Sequence, residues 1–245
     1  MPKSSGLGDA LFLDGFDLSG DVGAVGSIAG GPRPLDVTAI DKSARERLGG
    51  LRDGSLEFTS FFDVAALASH AALKTLPTTD RVVSYFRGTL LGGQAASLVG
   101  KQLNYDPSRN EDGSLTFKVN ARANGFGLDW GRSLTAGKRT DSAPTNGASV
   151  DHTDVTTAFG WQAYLHVFAF AGTSVTVTLQ DSADDAAWAN LTGGAFTAAT
   201  GQTSQRLEGG RTATVRRYLR AVTSGTFSNA VFAVVFARNL VAVSF

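Results

Sequence analysis

From Ser55 to Phe62 the chain reads Ser-Leu-Glu-Phe-Thr-Ser-Phe-Phe, with apolar and polar side chains taking turns. A period of two sends successive side chains to opposite faces, which suits a half-buried strand and not an amphipathic helix. The alternation returns from Ser114 to Ala123, where Leu115, Phe117, Val119 and Ala121 share a face, and from Thr173 to Gln180, where Val175, Val177 and Leu179 do. Glycine breaks these runs repeatedly: the 245 residues hold 29 Gly and only 6 Pro. Short strands joined by tight turns are therefore expected, an all-β chain with one short helix.

Taken in order, Ala10 to Gly15 reads as a strand ending in a turn, with a second short strand near Phe16 to Ser19. Gly20 to Pro34 is glycine-rich, but prolines follow and no Gly-Lys-Ser/Thr appears, so it lacks the setting of a phosphate cradle. An arm or long hairpin is expected there. Leu35 to Ile40 alternates, Asp41 to Arg47 is a compact charged insert, and Arg52-Asp53-Gly54 reads as a turn into the long strand. The helix is expected at about 63–75, from Val64 to Leu73 with Asp63 as N-cap and Pro77 as its stop. Further strands are expected at Arg81 to Arg87, Ala95 to Tyr105, Ser114 to Ala123 and Phe126 to Leu134, with an acidic turn from Asp106 to Gly113. Lys138 to Thr157 is polar and without apolar period, so 141–157 is expected to be a linker or long loop between residues 1–140 and 158–245. Beyond it come Gly160 to Phe170, a turn at Ala171-Gly172, and Thr173 to Gln180. Several short strands follow, and then Val215 to Thr223 and Phe227 to Arg238 separated by a turn at Ser224-Gly225. So many strands in so short a length suggest a β-sandwich, jelly-roll-like.

Composition removes several functions. Lys+Arg and Asp+Glu both number 22, so there is no basic surplus with which to coat nucleic acid. With no cysteine there is no disulfide framework or thiolate metal site. The first nine residues lack an apolar signal core, and no apolar run approaches the roughly 18–20 residues that span a bilayer, so cytoplasmic folding and no membrane insertion are expected. Gly-x-Ser-x-Gly and His-Glu-x-x-His are absent, and the three histidines share no motif. Asp106, Glu111 and Asp112 lack calcium-loop spacing, and Asp151-His152-Thr153-Asp154 has no matching histidine at a ligand's spacing. No catalytic, cofactor or metal site is expected, and the chain is read as no enzyme. Among the aromatics of the second β region, Trp161 opens a strongly apolar strand and belongs in a core. Trp188, beside an Asp-rich turn, is the candidate glycan contact.

The stretch from Leu35 to Asp63, with Gly50-Leu51-Arg52-Asp53-Gly54 before an alternating strand and a helix after it, resembles the major tail tube proteins of long-tailed, siphovirus-like bacteriophages. The resemblance covers about Ala10 to Leu134, with Val155 to Phe245 similar to an appended C-terminal β domain. It implies a tail-tube-type β-barrel or sandwich with a flanking helix, followed by a C-terminal β-sandwich. It also implies a virion structural protein, assembled in the host cytoplasm into stacked homohexameric rings around a tape-measure protein, through whose lumen DNA later passes. Trimeric rings with pseudo-sixfold symmetry are the alternative. Gly20 to Pro34 and Asp41 to Asp53 would bridge successive rings, with Arg45, Glu46, Arg47, Arg52 and Asp53 as subunit-interface candidates whose opposite charges set register. A rival function is a carbohydrate- or receptor-binding tail accessory acting through the C-terminal β-sandwich.

Overall fold

The computed structural model describes residues 5–74, 79–153 and 156–242. In chain order the strands are β1 (Ala10–Leu13), β2 (Phe16–Asp17), β3 (Val22–Asp36) and β4 (Arg47–Phe61), then the helix α1 (Ser69–Leu73). There follow β5 (Arg81–Phe86), β6 (Gln94–Gln102), β7 (Asp106–Arg109), β8 (Leu115–Ala123) and β9 (Asp129–Ser133). The remainder are β10 (Arg139–Asp141), β11 (Val150–Asp151), β12 (Trp161–Ser182), β13 (Ala189–Ala195), β14 (Thr203–Gly209) and β15 (Tyr218–Arg238). All named pairings are antiparallel, and they join the strands into one hydrogen-bonded network. Among the described residues the fold is all-β with one short helix.

In the first half, Asp14 and Gly15 take φ of 49° and 79°, the left-handed pair that a two-residue hairpin between β1 and β2 requires. β1 continues through β5 and β6 to β9, while β8 joins β4, β6 and β7. The alternation in β8 is realised: Phe117, Val119 and Ala121 are buried with Leu11, Leu56, Phe58, Val83 and Leu98 in one core, and Leu115 stays exposed at the strand's start.

The second half is built on β12 and β15, which pair along nearly their whole lengths. The expected turns at Ala171-Gly172 and Ser224-Gly225 are not turns, because both strands continue through them. Gly172 (φ 148°) stands opposite Phe227, and a Cβ there would lie 2.4 Å from the Phe227 Cα; at Gly225 (φ 116°) it would lie 2.4 Å from the Ser174 oxygen. These glycines let two backbones close up where the register shifts at Val167/Ala169, Ala171/Gly172 and Gly172/Ser174. On the other edge of β12, Val167 pairs with Thr203 and Val175 with Ala199, so residues 168–174 face only residues 200–202. That mismatch bends the sheet. Trp161, Ala163, Leu165 and Val167 on one side of the bend and Val175, Val177 and Leu179 on the other share a single core.

The opposite face of β12 meets the first half. Tyr164 and Phe168, with Ala233 and Val235 of β15, pack on Ala10, Phe12, Val82, Phe86 and Ala95. The middle of the molecule is therefore buried on both faces, as a central strand must be when each face carries apolar groups.

Three other local expectations change. Arg52-Asp53-Gly54 lies inside β4, paired with Pro32, Gly31 and Gly30, and Gly54 is needed because a Cβ there would sit 2.7 Å from the Leu128 nitrogen. The helix begins at Ser69, not Val64; Asp63 caps only a turn, accepting the Ala65 N–H at 2.8 Å, and Pro77 lies outside the described residues. The start of the acidic turn, Asp106 to Arg109, is strand β7. Within 141–157, β11 lies on β15, as β10 does just before it, and Asn146 bridges to Val222.

Candidate assembly surface

β3 and β4 form a long hairpin. Residues 55–61 of β4 also pair with β8, but residues 47–53 have only β3 beside them. Past Gly54 the hairpin is a two-stranded ribbon with little cover: Leu35, Leu48 and Leu51 are 52%, 59% and 87% exposed, and Ile40 at the tip is fully so. A ribbon of two strands with neither face packed is marginal in water. Pro32 and Pro34 sit in β3, an edge strand, which tolerates residues without an N–H.

The charged candidates separate along this arm. At the tip, Arg45 lies 3.9 Å from Asp36 and Lys42 lies 3.5 Å from Glu46, all well exposed. Arg47 opens β4 opposite Asp36. Nearer the body, Asp53 receives Arg33 at 2.9 Å and the Gly54 N–H at 2.8 Å; the Gly54 bond first and Arg33 second hold its carboxyl below the usual range. Arg52 turns inward and donates to Asp129 at 2.6 Å. Thus Arg45, Glu46 and Arg47 cluster at the tip, while Arg52 and Asp53 are engaged at the root.

Asp129, 7% exposed, also accepts the Tyr164 hydroxyl at 2.5 Å, so one buried carboxylate ties the arm's root to β12. Burial, then the Asp129 charge, push the Tyr164 hydroxyl's pKa up. Beside this network the Arg206 guanidinium lies 3.7 Å from the Phe126 ring centroid and pairs with Glu208 at 2.8 Å. A cleft of about 530 Å³ opens here, lined on the arm's side by Leu51, Arg52 and Phe126 and on the other by Arg206, Glu208 and Arg211. Sequence reading missed Tyr164, Asp129, Phe126 and Arg206. A signal existed for Tyr164: Gln162, Tyr164 and His166 are the polar members of an otherwise apolar strand, one face that needed partners. His166, fully buried, accepts the Gly15 N–H on Nδ1 at 3.4 Å and meets the Ser84 hydroxyl through Nε2 at 2.9 Å; burial lowers its pKa to about 3.

Strands β3, β4, β8 and β7 follow one another in hydrogen-bonded order, and among the described residues neither β3 nor β7 has a partner on its outer side. β3 is thus an open edge, and so is the four-residue β7, while the rest of β8 on that side is taken by Gly100–Gln102 of β6. Elsewhere, Trp161 is fully buried in the core. Trp188 is half-buried under Arg220, whose guanidinium lies 4.2 Å from the ring centroid. Arg220 also donates to Gln180 at 2.7 Å, and Gln180 to Asn190 at 2.9 Å, so a row of planar polar groups crosses three strands beside the indole. Asp151 is paired with Arg217 at 2.8 Å, His152 is buried, and Asp154 lies outside the described residues. Among the described residues no three His, Cys, Asp or Glu side chains gather as a metal site, and no helix is long and apolar enough to cross a membrane.

No family model matches the chain, and no curated protein does. Solved structures resemble it in part. A chain from the tail of an empty gene transfer agent particle, refined with C6 symmetry, is 18% identical with a TM-score of 0.36, covering 48% of this chain and 92% of its own. One from the virion of a native gene transfer agent particle is 18% identical at a TM-score of 0.40, covering 52% and 98%. The SPP1 Dit protein, described as a paradigm of hub adsorption apparatus in phages infecting Gram-positive bacteria, is 12% identical at 0.32, covering 94% and 99%. These three come from structures of a tail, a virion and a hub apparatus.

Proposed function

We propose that this chain is a virion structural protein of a phage tail, the tube subunit that assembles into stacked rings and forms a conduit for DNA. The observation that carries the reading is that β3 and the short β7 are each open on their outer side, with β3 prolonged into the arm. Strands β3, β4, β8 and β7 alternate in direction, so β3 of one copy would meet β7 of the next as another antiparallel pair. The two edges differ, which makes the contact head-to-tail; such contacts close into a ring when the rotation allows. Open edges are a hazard in a lone protein and a joint in an assembly. The arm then reaches out of its own ring, with Arg45, Glu46 and Arg47 as contact residues and Arg52 and Asp53 bracing its root. Zero formal net charge removes the self-repulsion that would oppose association.

In this reading residues 1–140 are the tube unit and 158–245 an appended β unit, joined by 141–157. Six copies make a ring, a tape-measure protein occupies the lumen during assembly, and DNA passes later without sequence-specific grip. The chain performs no catalysis. Negative-stain electron microscopy of the purified protein at low and high concentration tests this. Rings or hollow tubes with sixfold symmetry are expected, and threefold rings would shift the reading to trimers. Small monodisperse particles at every concentration, with and without tail extract as initiator, would end it.

The planar row beside Trp188 supports a second reading, a carbohydrate- or receptor-binding accessory, since an indole flanked by Arg, Gln and Asn suits a sugar ring. A glycan array probed with the whole protein, repeated with Trp188→Ala, tests it. Binding lost in the variant supports it, and no binding by the unaltered protein removes it.

A further inference from the structure

We infer that the hollow over strands β6, β9 and β15, beside the residues that follow β11, binds a tetrahedral oxyanion such as phosphate, held by His152, Arg132 and Arg238. The site stands apart from the arm and does not depend on the tube reading. Its floor is set by strand register. Gln94 of β6 and Phe236 of β15 both stand opposite Arg132 of β9, so the three side chains form a row across one face. Two residues away along β9 and β15, on that same face, come Trp130 and Arg238. His152, just past β11, lies on this face with its ring edge-on to Phe236, the centroids 5.9 Å apart. With Leu240 these side chains line a hollow of about 170 Å³.

His152 is the group that calls for a ligand. It is 4% exposed, and its Nε2 is buried without a hydrogen-bond partner among the described residues. Polar atoms so buried are nearly always satisfied, by protein, water or an ion. The surroundings fix the sign of that ion. Arg132 donates to the Asp151 carbonyl at 2.9 Å and forms no ion pair. Arg238 rests on the Val215 and Arg216 carbonyls at 2.5 and 2.9 Å. Burial first, then the Arg238 and Arg132 charges, hold the His152 pKa down at about 3, so the ring is neutral and Nε2 can carry a proton to donate. The Asp151 carboxylate acts the other way, but Arg217 grips it at 2.8 Å. Two guanidiniums repel a metal cation and bind an anion through charge-assisted hydrogen bonds. Donors from three separate segments suit a tetrahedral group better than a planar carboxylate. The volume is below the roughly 300–1,000 Å³ of sites that enclose larger ligands, so a sugar or nucleotide would not enter whole. Trp130, 53% exposed at the rim, would lie against the organic part of an esterified phosphate.

Isothermal titration calorimetry of the whole protein with sodium phosphate, at neutral pH and constant ionic strength, tests this. Sulfate, acetate and phenyl phosphate serve as the comparison ligands. Saturable heat is expected with phosphate and sulfate, and binding at least tenfold weaker with acetate. Phosphate bound as tightly as phenyl phosphate supports a free ion as the ligand. Tighter binding of phenyl phosphate, lost in Trp130→Ala, supports a phosphate ester at the same site. Arg132→Gln should weaken phosphate at least tenfold. His152→Phe keeps a ring on Phe236, so it should melt no lower in phosphate-free buffer and yet lose the heat. No saturable heat from the unaltered protein overturns the site, as does heat left unchanged in both variants. Acetate bound as tightly as phosphate overturns the tetrahedral assignment.

Discussion

The hairpin β3–β4 and the long antiparallel pair β12–β15 meet opposite fates. β12–β15 runs over 22 and 21 residues and is covered by its own chain on both faces at Trp161–Phe168 and on one face at Val175–Gln180; β3–β4 runs over 15 and 15 and is covered only near its base. Both carry register shifts and glycines, so backbone chemistry does not separate them. Cover does. In β12–β15 the bend folds the ribbon onto itself, and the residues on its two faces serve two cores. Past Gly54 the arm has no second layer, so its leucines stay in water. A hairpin of this length persists by packing, and where the chain supplies none, another molecule is the natural source.

The largest expected effect breaks the bend. In Gly172→Val the new side chain would collide with the Phe227 backbone at a φ that disfavours it, costing about 4 kcal/mol or more. Thermal unfolding should show a collapsed midpoint or no cooperative transition, whereas Gly49→Val in the arm, with only the Pro32 side chain at 3.6 Å, should melt nearly as the unaltered protein does.

Acid should attack the same region. His166 and His152 both fall to about 3, His166 by burial alone and His152 by burial first and then by Arg238 and Arg132. The unfolded chain therefore takes up these protons first. Stability is full above about pH 6.5, declines as pH falls toward 3, and levels off below that, by up to roughly 4 kcal/mol per histidine. Urea midpoints at pH 7, 5 and 4 measure it. A flat profile over that range would mean that neither ring is sealed as described.

A smaller effect concerns the joint between the regions. Tyr164→Phe leaves Asp129 with Arg52 as its remaining charged partner and should cost about 1–3 kcal/mol in denaturant melts. The smallest effect on stability belongs to the arm: Leu48→Ser should stay within about 0.5 kcal/mol of the unaltered protein while reducing the sedimenting fraction. A Leu48→Ser protein that melts much lower would show that the arm packs on its own body after all.

Much of the strand pattern was legible. Phe117, Val119 and Ala121 in β8 and Val175, Val177 and Leu179 in β12 are buried on the face that alternation assigned them. The charged excursion after Asp41 was legible, and Trp161 as a core residue, but Gly20 to Pro34, read as an arm or a hairpin of its own, supplies most of the single strand β3, and Val37 to Ile40, read as alternating, lies beyond it. Gly54, Gly172 and Gly225 were misread as turns because glycine serves two ends: it permits a reversal, and it lets a distant backbone come close. Nothing near Gly172 in sequence announces Phe227. Likewise Arg45 and Arg52 look alike in the sequence, yet Arg45 stands in solvent and Arg52 grips Asp129, a residue 77 positions away.

What the sequence alone determined is local: a period of two makes strands, and parity along each strand decides which side chains share a face. Tertiary structure decided which faces receive cover, which glycines turn the chain and which only thin it, and which charges find a partner. The physical reason is that burial and pairing here depend on residues far apart in the chain, and the period of a strand says nothing about what will be laid against it.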